Sequence, residues 1–257
     1  ENIFVCHVCG RVRSASERCL SCRSWKLEAL GVGIQRTADA IAKTFPDVPQ
    51  FILDRDSVKN HREAQEIVKK FSATKNGILV GTEMALLYIH ERLPVSAIAS
   101  TDALLSIPEW RMAERLFGIL LRLRELTEEK LLIQTRRPES HTLVQALSGN
   151  VAEFYREEIR ERERWNYPPQ VTLIKISVTA PQARAAKEMR VVEEALTGYP
   201  LAVYPAAEHV GRGKHALHGL IRLPRGSWPN AKLLEVLRAL PPSISIEVDP
   251  DQLLSRT

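Results

Sequence analysis

Residues 50–82 read QFILDRDSVKNHREAQEIVKKFSATKNGILVGT, a stretch in which an apolar run, an amphipathic segment and a second apolar run follow one another. The runs at residues 50–54 and 78–80 have the length and composition of buried strands. Between them, from residue 61 to residue 71, apolar side chains recur at helical spacing, namely Ala64, Ile67, Val68 and Phe71. Because strand, helix and strand follow in this order, the stretch predicts a parallel α/β unit.

The same alternation continues on both sides of this stretch. Apolar runs predict further strands at residues 97–100 and 130–135, and helical spacing predicts helices at residues 37–45 and 109–125. In a parallel sheet, ligands gather at the carboxyl ends of the strands. The residues expected at those ends are Asp54, Gly81, Thr82, Asp102 and Thr135.

The last hundred residues have a different pattern. Residues 152–165 predict a helix whose charges alternate in sign, which is typical of a solvated connecting helix, and Tyr167-Pro168-Pro169 ends it. The remainder predicts a small α+β domain, with strands at residues 173–178, 202–204, 218–223 and 243–248 and helices at residues 181–196 and 230–240.

Composition sets limits on the class of protein. The chain has 257 residues, 44% of them hydrophobic and 26% charged, which are ordinary globular values. No apolar run approaches the roughly 18 residues that a membrane span needs, so we expect no membrane partner. The net charge of +5 is modest, but arginines cluster at residues 111–124 and 212–225, as phosphate contacts require. The first residue is Glu1 and not Met, which is expected of a fragment or a processed chain.

All four cysteines fall within the first 22 residues, as Cys6-x-x-Cys9 and Cys19-x-x-Cys22. Two such knuckles supply four thiolates in a tetrahedron, the closed geometry of a structural zinc ion, so we expect one structural Zn²⁺. Two disulfides are the alternative, but a chain of this size has core enough without them and no secretory signal precedes the cysteines. This cysteine usage suits a reducing cytoplasm. His7 and His61 are the alternative ligands.

Several short motifs, in order along nearly the whole chain, resemble the C-terminal half of the PriA (primosomal protein N′) family of replication-restart helicases. Near the start, Leu30-Gly31-Val32-Gly33 follows the second cysteine knuckle as that family's Gly-x-Gly-Thr segment does. In the middle, residues 78–84 (ILVGTEM) resemble its Ile-Leu-Ile-Gly-Thr-Gln-Met. Further matches are Phe45-Pro46, residues 54–56 (DRD), residues 102–115 (DALLSIPEWRMAER), Gln134-Thr135 with Pro138, Tyr167-Pro168-Pro169 and Val248-Asp249-Pro250.

The resemblance implies a division of the chain into four parts. It implies a zinc-binding region at residues 1–28, followed by a RecA-like second helicase lobe with a parallel sheet at residues 29–150. A connecting helix at residues 151–168 and a C-terminal α+β domain at residues 169–257 complete the expected fold. The resemblance also implies DNA as a partner, branched or single-stranded, and replication-restart proteins such as the single-stranded-DNA-binding protein.

The chain departs from the family where the family binds nucleotide. The family's Lys-Gly-x-x-Phe-Pro is replaced by residues 85–94 (ALLYIHERLP), and its Gln-Val-Ala-Gly-Arg-Ala-Gly-Arg by residues 121–129 (LRLRELTEE), where Arg122 or Arg124 would have to be a displaced arginine finger. The chain also lacks a phosphate-binding loop and an acidic magnesium-binding motif. We therefore expect neither ATP binding nor catalytic residues, and a degenerate helicase motif at Gly81, Thr82, Arg111 and Arg115.

The candidate DNA contacts lie in the C-terminal domain. Gly211-Arg212-Gly213-Lys214-His215 resembles the family's Gly-Arg-x-Arg-Trp turn, and its glycines allow the backbone to approach a phosphate. Arg212, Lys214 and Arg222 are the predicted phosphate contacts, and a flexible hairpin with solvated charges is the alternative. Arg111 and Arg115 are expected to be structural, with Glu114 as a partner.

The remaining carboxylates and the aromatic residues are expected to have structural roles. Asp54 and Asp56, and likewise Asp102 with Glu114, are expected to be strand-end and loop carboxylates, because no nucleophile or phosphate loop accompanies them. Tryptophans are scattered along the sequence and are expected to serve packing, namely Trp25, Trp110, Trp165 and Trp228.

Three functions remain open at this point. The first is a PriA-like, helicase-inactive protein of DNA replication restart and the primosome, which binds DNA or replication partners. The second is a fragment of an active ATP-dependent 3′-5′ DNA helicase. The third is a zinc-ribbon adaptor that docks replication proteins without touching DNA. Salt-dependent DNA binding would separate the first from the third, and ATP turnover in a longer chain would separate the second.

Overall fold

The computed structural model describes residues 3–5, 12–14, 33–206 and 213–254. Contacts within the chain divide it into two compact units. We call the first the parallel-strand unit, which consists of Ala29–Ile107 and Met112–Phe154. The second is the C-terminal unit, which consists of Pro108–Arg111 and Tyr155–Thr257 together with Glu1–Glu28. In the part of the chain that the structure describes, no helix combines the length and apolarity that crossing a membrane requires.

The N-terminal described residues form a hairpin. Strand β1 (Ile3–Val5) pairs antiparallel with β2 (Val12–Ser14), and Ile3 lies opposite Ser14. Cys6 and Cys9 fall in the connection between these strands and lie outside the described residues, as do Cys19 and Cys22.

The parallel-strand unit alternates helices and strands, as the sequence predicts. Its elements in chain order are α1 (Ile34–Thr44), β3 (Gln50–Leu53), α2 (His61–Ser72), β4 (Ile78–Gly81), a 3-10 helix (Glu83–Leu87), β5 (Leu93–Ile98), α3 (Asp102–Leu105), α4 (Met112–Leu126), β6 (Thr127–Ile133) and α5 (His141–Ser148). Helix α6 (Val151–Arg164) begins in this unit and continues into the C-terminal unit.

The strands of this unit are parallel, as predicted, and hydrogen bonds among the described residues join them in two pairs. Gln50–Leu53 runs beside Ile78–Gly81 with Gln50 opposite Ile78, and Ala97 lies opposite Leu132 in the pair of β5 and β6. The apolar runs predicted where the strands lie, and their alternation with helices predicted that the strands run parallel. Which strands become neighbours depends on contacts between distant residues, which the local pattern does not contain.

Several element boundaries differ from the sequence prediction, and two of them are informative. Strand β5 begins at Leu93 rather than at residue 97, and it accommodates Pro94 at the point where the pairing with β6 shifts register. Helix α4 begins at Met112 rather than at residue 109, and the three residues before it belong to the C-terminal unit.

The core of the parallel-strand unit forms around α4. Leu116, Leu120 and Leu143 are almost fully buried, and the rings of Phe117 and Phe154 stack with their centroids 3.9 Å apart. A second cluster centres on Leu53 and packs the strand pair of β3 and β4 against α2.

The C-terminal unit is built on one antiparallel sheet. Its elements are β7 (Val171–Ala180), α7 (Gln182–Ala195), β8 (Leu201–Pro205), β9 (His215–Pro224), α8 (Ala231–Ala239) and β10 (Ser245–Val248), and the strand order is β10-β7-β9-β8. This arrangement confirms the predicted α+β character of the C-terminal segment, with three strands slightly longer than predicted and β10 two residues shorter.

Each face of this sheet buries a different set of side chains. On one face, Ile174, Ile176 and Ile221 pack against α7 and α8. On the other, Leu173 and Leu220 pack against Trp110 and Leu253. The second face is therefore covered by Pro108–Arg111, which lies far upstream in sequence, and by the residues that follow β10.

Candidate nucleic-acid interface and zinc site

The predicted zinc ligands Cys6, Cys9, Cys19 and Cys22 lie outside the described residues. In the described ranges, no three His, Cys, Asp or Glu side chains come together as a metal site. The alternative ligand His61 contacts a tyrosine instead, with its Nδ1 atom 3.1 Å from the Tyr88 hydroxyl. The single structural zinc therefore stays a prediction from the cysteine spacing.

Gly81 and Thr82, the start of the degenerate helicase motif, sit where β4 ends against β3. A Cβ atom on Gly81 would lie 2.7 Å from the Ala85 Cβ atom and 3.1 Å from the Leu53 carbonyl oxygen. The Thr82 N–H donates to the same carbonyl at 3.3 Å. The close approach of these atoms is thus sufficient to explain why residue 81 is a glycine.

The two motif arginines are both ion-paired. Arg115 Nε lies 2.5 Å from a carboxylate oxygen of Glu83, inside the parallel-strand unit. Arg111 pairs with Asp251 in the C-terminal unit, and its guanidinium lies 4.5 Å from the centroid of the Trp110 ring. Both residues therefore have structural contacts.

The stretch that replaces the family's arginine finger is helical. Arg122, in α4, donates to Glu125 at 2.7 Å and to the carbonyl oxygen of Ile89 at 3.2 Å, so its guanidinium is held inside the unit. Arg124 is exposed, and its guanidinium lies against Gly149, where an added Cβ atom would come 2.4 Å from a guanidinium nitrogen.

The strand-end carboxylates organise loops. The Asp54 carboxylate accepts the N–H of Ser57 at 2.7 Å. Asp102, which begins α3, accepts the N–H of Arg136 at 2.9 Å and thereby joins the loops that follow β5 and β6. Carboxylates that form turns typically make such contacts, in which their oxygen atoms accept hydrogen bonds from backbone N–H groups.

The predicted DNA contacts lie along β9. Lys214 immediately precedes the strand and Arg222 is near its end, and both side chains are exposed. Eight residues of strand separate them by ~27 Å, so they cannot contact the same phosphate. The Arg222 guanidinium lies 5.9 Å from the centroid of the Tyr167 ring. Arg212 lies outside the described residues.

The face of the sheet that carries Arg222 also contains a row of polar side chains. Ser245, Ser177, His218 and Tyr204 lie opposite one another across all four strands. Ser177 Oγ and His218 Nδ1 are 2.8 Å apart, and the Tyr204 hydroxyl donates to the carbonyl oxygen of Leu253 at 2.9 Å. His218 Nε2 is buried and has no hydrogen-bond partner among the described residues.

Burial changes the pKa values of two side chains in this row, His218 and Tyr204. It lowers the pKa of His218 to about 4, and the positive charge of Lys175 contributes in the same direction. Burial also raises the pKa of Tyr204, with a further contribution from the Glu109 carboxylate. Both side chains are therefore neutral near pH 7. Lys175 is fully buried, and its Nζ atom donates to the Gln252 carbonyl oxygen at 2.9 Å.

The sequence analysis did not predict that Glu109 and Trp110 help to cover the face of the sheet that carries this polar row. The Glu109 carboxylate accepts the N–H groups of Leu253 and Leu254, each at 2.7 Å, and Trp110 Nε1 donates to the Pro250 carbonyl oxygen at 3.1 Å. No local signal predicts these contacts, because 140 or more residues separate the partners.

The tryptophans differ in exposure. Trp110 is 7% exposed and stacks on Tyr167, and Trp228 packs against the helix-covered core, so packing is confirmed for these two. Trp25 lies outside the described residues. For Trp165 the packing prediction is wrong, because its side chain is 59% exposed.

Comparison with known proteins gives a consistent family. The chain is 30% identical over 264 residues to the replication restart protein PriA of Treponema pallidum, in an alignment that covers 96% of this chain and 40% of that protein. It is 31% identical over 183 residues to the PriA protein of Chlamydia muridarum, covering 68% of this chain and 24% of that protein. With the PriA protein of Thermotoga maritima the identity is 27% over 257 residues, covering 96% and 34%. No family model matches the chain.

Fold and comparisons together define the class. A unit of parallel strands followed by an antiparallel α/β unit makes this a two-unit α/β protein that is similar to replication restart proteins. The chain is a homologue of part of PriA, so the resemblance that the sequence motifs predicted is confirmed. The chain spans two fifths or less of the length of these relatives.

Proposed function

We propose that this chain acts in DNA replication restart as a PriA-like, cytoplasmic protein that binds DNA through its C-terminal unit. In this proposal it carries one structural zinc ion and does not hydrolyse ATP in the form described. The observation that carries the proposal is the similarity of 96% of the chain to a continuous part of PriA of Treponema pallidum.

The contacts of the helicase-like motif support the proposal that ATP is not hydrolysed. Arg111, Arg115 and Arg122 each pair with a carboxylate. An arginine finger contributes on the order of 10³–10⁵ in rate only when it is placed at the transferred phosphate. An arginine already held by a neighbouring carboxylate would have to break that contact first.

The charges along β9 support the proposal of DNA binding. Lys214 and Arg222 are exposed and lie ~27 Å apart along one strand, a spacing that suits a nucleic acid that follows the strand and contacts each cation through a different phosphate. In this arrangement the backbone is bound without base-specific contacts, so the affinity should not depend on the DNA sequence.

The length of the relatives favours a second candidate. Because the chain spans only 40% of PriA of Treponema pallidum, it also fits part of an active ATP-dependent helicase. As further partners we propose replication-restart proteins, among them the single-stranded-DNA-binding protein. If the experiment below finds no DNA binding, the third candidate, an adaptor without DNA contact, is favoured.

The test is DNA binding as a function of salt. Each cation that neutralises a phosphate releases counterions, so the affinity should fall with salt, with a log–log slope of about −0.7 to −0.9 per contact. Lys214→Ala with Arg222→Ala should weaken binding to single-stranded and branched DNA and flatten the slope by roughly 1 to 2 units. Adding Arg212→Ala should flatten it by roughly one further unit.

A matched control removes the same charge elsewhere in the unit. Lys187 and Arg190 are exposed on α7, which packs on the opposite face of the sheet. Lys187→Ala with Arg190→Ala should leave the slope nearly unchanged. Equal slopes for wild type and the β9 variant would exclude this strand as the DNA contact, and no binding at low salt would favour the adaptor. DNA-stimulated phosphate release from ATP above a heat-treated control would contradict the proposed lack of hydrolysis.

A further inference from the structure

Among the residues that the structure describes, Trp165 is the most exposed large aromatic side chain. Trp165 follows the last residue of α6 and is 59% exposed, whereas Trp110 in the same unit is 7% exposed. An exposed indole loses the free energy that its burial would contribute. A single exposed ring is common on a protein surface, so the side chains around it must indicate whether it has a ligand.

The Trp165 ring is held in place by charged neighbours. Its Nε1 atom donates to a carboxylate oxygen of Glu161 at 3.2 Å, one helical turn earlier. The Arg164 guanidinium lies over one face of the ring, 5.4 Å from its centroid, and pairs with Glu161 at 4.0 Å. The ring is therefore oriented before a ligand arrives, and a cation lies beside it.

These neighbours favour a nucleobase over a protein partner. The four residues before Trp165 are charged, and the other exposed apolar side chains of α6, at Val151, Tyr155 and Ile159, lie six or more residues earlier in the chain. A single aromatic ring beside an arginine is instead the usual arrangement for single-stranded nucleic acid, in which bases stack on rings and phosphates contact cations.

Trp165 is also close in the chain to a proposed phosphate contact. Tyr167 follows two residues later, within ~7.6 Å between Cα atoms, and its ring lies 5.9 Å from the Arg222 guanidinium. Asn166, between the two aromatic residues, has a positive φ of 52° and turns the chain out of the helix. The exposed ring and the cation at the end of β9 are thus connected through Tyr167, which lies two residues after Trp165 and contacts Arg222.

We propose that Trp165 is a stacking platform for a base of single-stranded DNA, with Arg164 beside the ring. This inference rests on the proposed DNA binding and adds to it a contact with bases. It predicts that the protein distinguishes a strand that carries bases from a strand of phosphates and sugars alone. Because any base has a π face, the contact should tolerate every sequence.

The experiment compares two DNA strands and four proteins. One strand is an oligothymidylate of about 20 nucleotides, longer than the ~4–16 nucleotides that one small domain covers. The other is an abasic strand of the same length. Binding is measured for wild type, Trp165→Ala and Trp165→Phe, and Tyr155→Ala is the control because it removes another exposed aromatic side chain from α6.

Trp165→Ala should bind oligothymidylate about 5- to 30-fold more weakly than wild type. On the abasic strand it should bind as wild type does, and its salt slope should be unchanged because no cation is lost. Trp165→Phe should recover most of the affinity, while the quenching of tryptophan fluorescence by the oligonucleotide should be lost. Tyr155→Ala should bind both strands as wild type does.

Three outcomes would overturn the inference. An unchanged affinity of Trp165→Ala for oligothymidylate would exclude stacking, while the phosphate contacts of β9 would stand. An equal loss on both strands would assign Trp165 to the fold of the unit, and the melting temperature of the variant would then be lowered too. If wild type binds neither strand at low salt, both the stacking platform and the proposed DNA binding are wrong.

Discussion

The buried His218 should make the C-terminal unit sensitive to mild acid. Its side chain is 0% exposed, and burial together with the charge of Lys175 lowers its pKa from 6.5 to about 4. In the unfolded chain the ring takes up a proton near pH 6.5, but in the folded unit it does so only near pH 4. The contribution of neutral His218 to stability is therefore fully present above about pH 6.5 and is lost as the pH falls towards 4.

The size of this loss of stability follows from the difference between the pKa values of His218 in the unfolded chain and in the folded unit. A difference of about 2.5 units corresponds to about 3 kcal/mol when the whole interval is crossed. Between about pH 7 and pH 5, most of the protonation of the unfolded chain takes place. The free energy of unfolding should accordingly fall by about 2 kcal/mol from this group alone.

Urea unfolding followed by tryptophan fluorescence measures this loss in the right unit. Trp110, Trp165 and Trp228 all belong to the C-terminal unit, and the segments of the parallel-strand unit contain no tryptophan. The comparison is between wild type and His218→Asn, whose side chain keeps an amide near Nδ1 but does not titrate. Carboxylates titrate in both proteins, so their contribution cancels in the difference.

His218→Asn should be less stable than wild type at pH 7, because it leaves space where the ring was packed. Between pH 7 and pH 5, however, wild type should lose about 2 kcal/mol more than the variant. If both proteins lose the same free energy over this interval, His218 is not held neutral by its surroundings, and the reasoning from burial is refuted.

Two further predictions concern the parallel-strand unit and the zinc site. Gly81→Ala should destabilise the unit by roughly 1–3 kcal/mol, because the added methyl group would come 2.7 Å from the Ala85 Cβ atom, whereas Gly118→Ala on α4 has open space and should stabilise it by about 0.5–1 kcal/mol. Thermal unfolding followed by circular dichroism would compare them, and equal effects would contradict the packing argument. Metal analysis of the purified protein should find one zinc ion per chain, bound through Cys6, Cys9, Cys19 and Cys22, and two zinc ions, or none with four free thiols, would exclude the predicted site.

The parallel unit was predictable because its signals are local. Helix α2 spans His61–Ser72 against a predicted 61–71, and β3 and β4 match to within a residue. In these segments the apolar spacing of each element coincides with the side that is buried. Helix α5 was missed although its ends are marked, since Ser140 accepts the N–H of Leu143 and Gly149 has a left-handed φ of 75°. Eight residues are too few for the periodic pattern to stand out from a loop.

The closure of the C-terminal sheet was not predictable, for a different reason. The periodicity around Glu109 and Trp110 fits a helix, and the sequence prediction began α4 there. In the structure these side chains instead contact Pro250, Leu253 and Leu254. A hydrogen bond between residues 140 or more positions apart cannot be recognised from the sequence around either residue. The exposure of Trp165 escaped prediction for the same reason, because composition gives the residue type and not its burial.

The motif residues that carry the resemblance to PriA have contacts that account for them without a nucleotide. Gly81 allows two strands to approach, and Arg115 joins α4 to the 3-10 helix through Glu83. Arg111 holds the residues that follow β10 through Asp251. A chain whose fold depends on these residues would keep them whether or not it hydrolyses ATP. Their presence therefore supports membership of the family, and ATP turnover by this chain would favour part of an active helicase over the helicase-inactive protein proposed above.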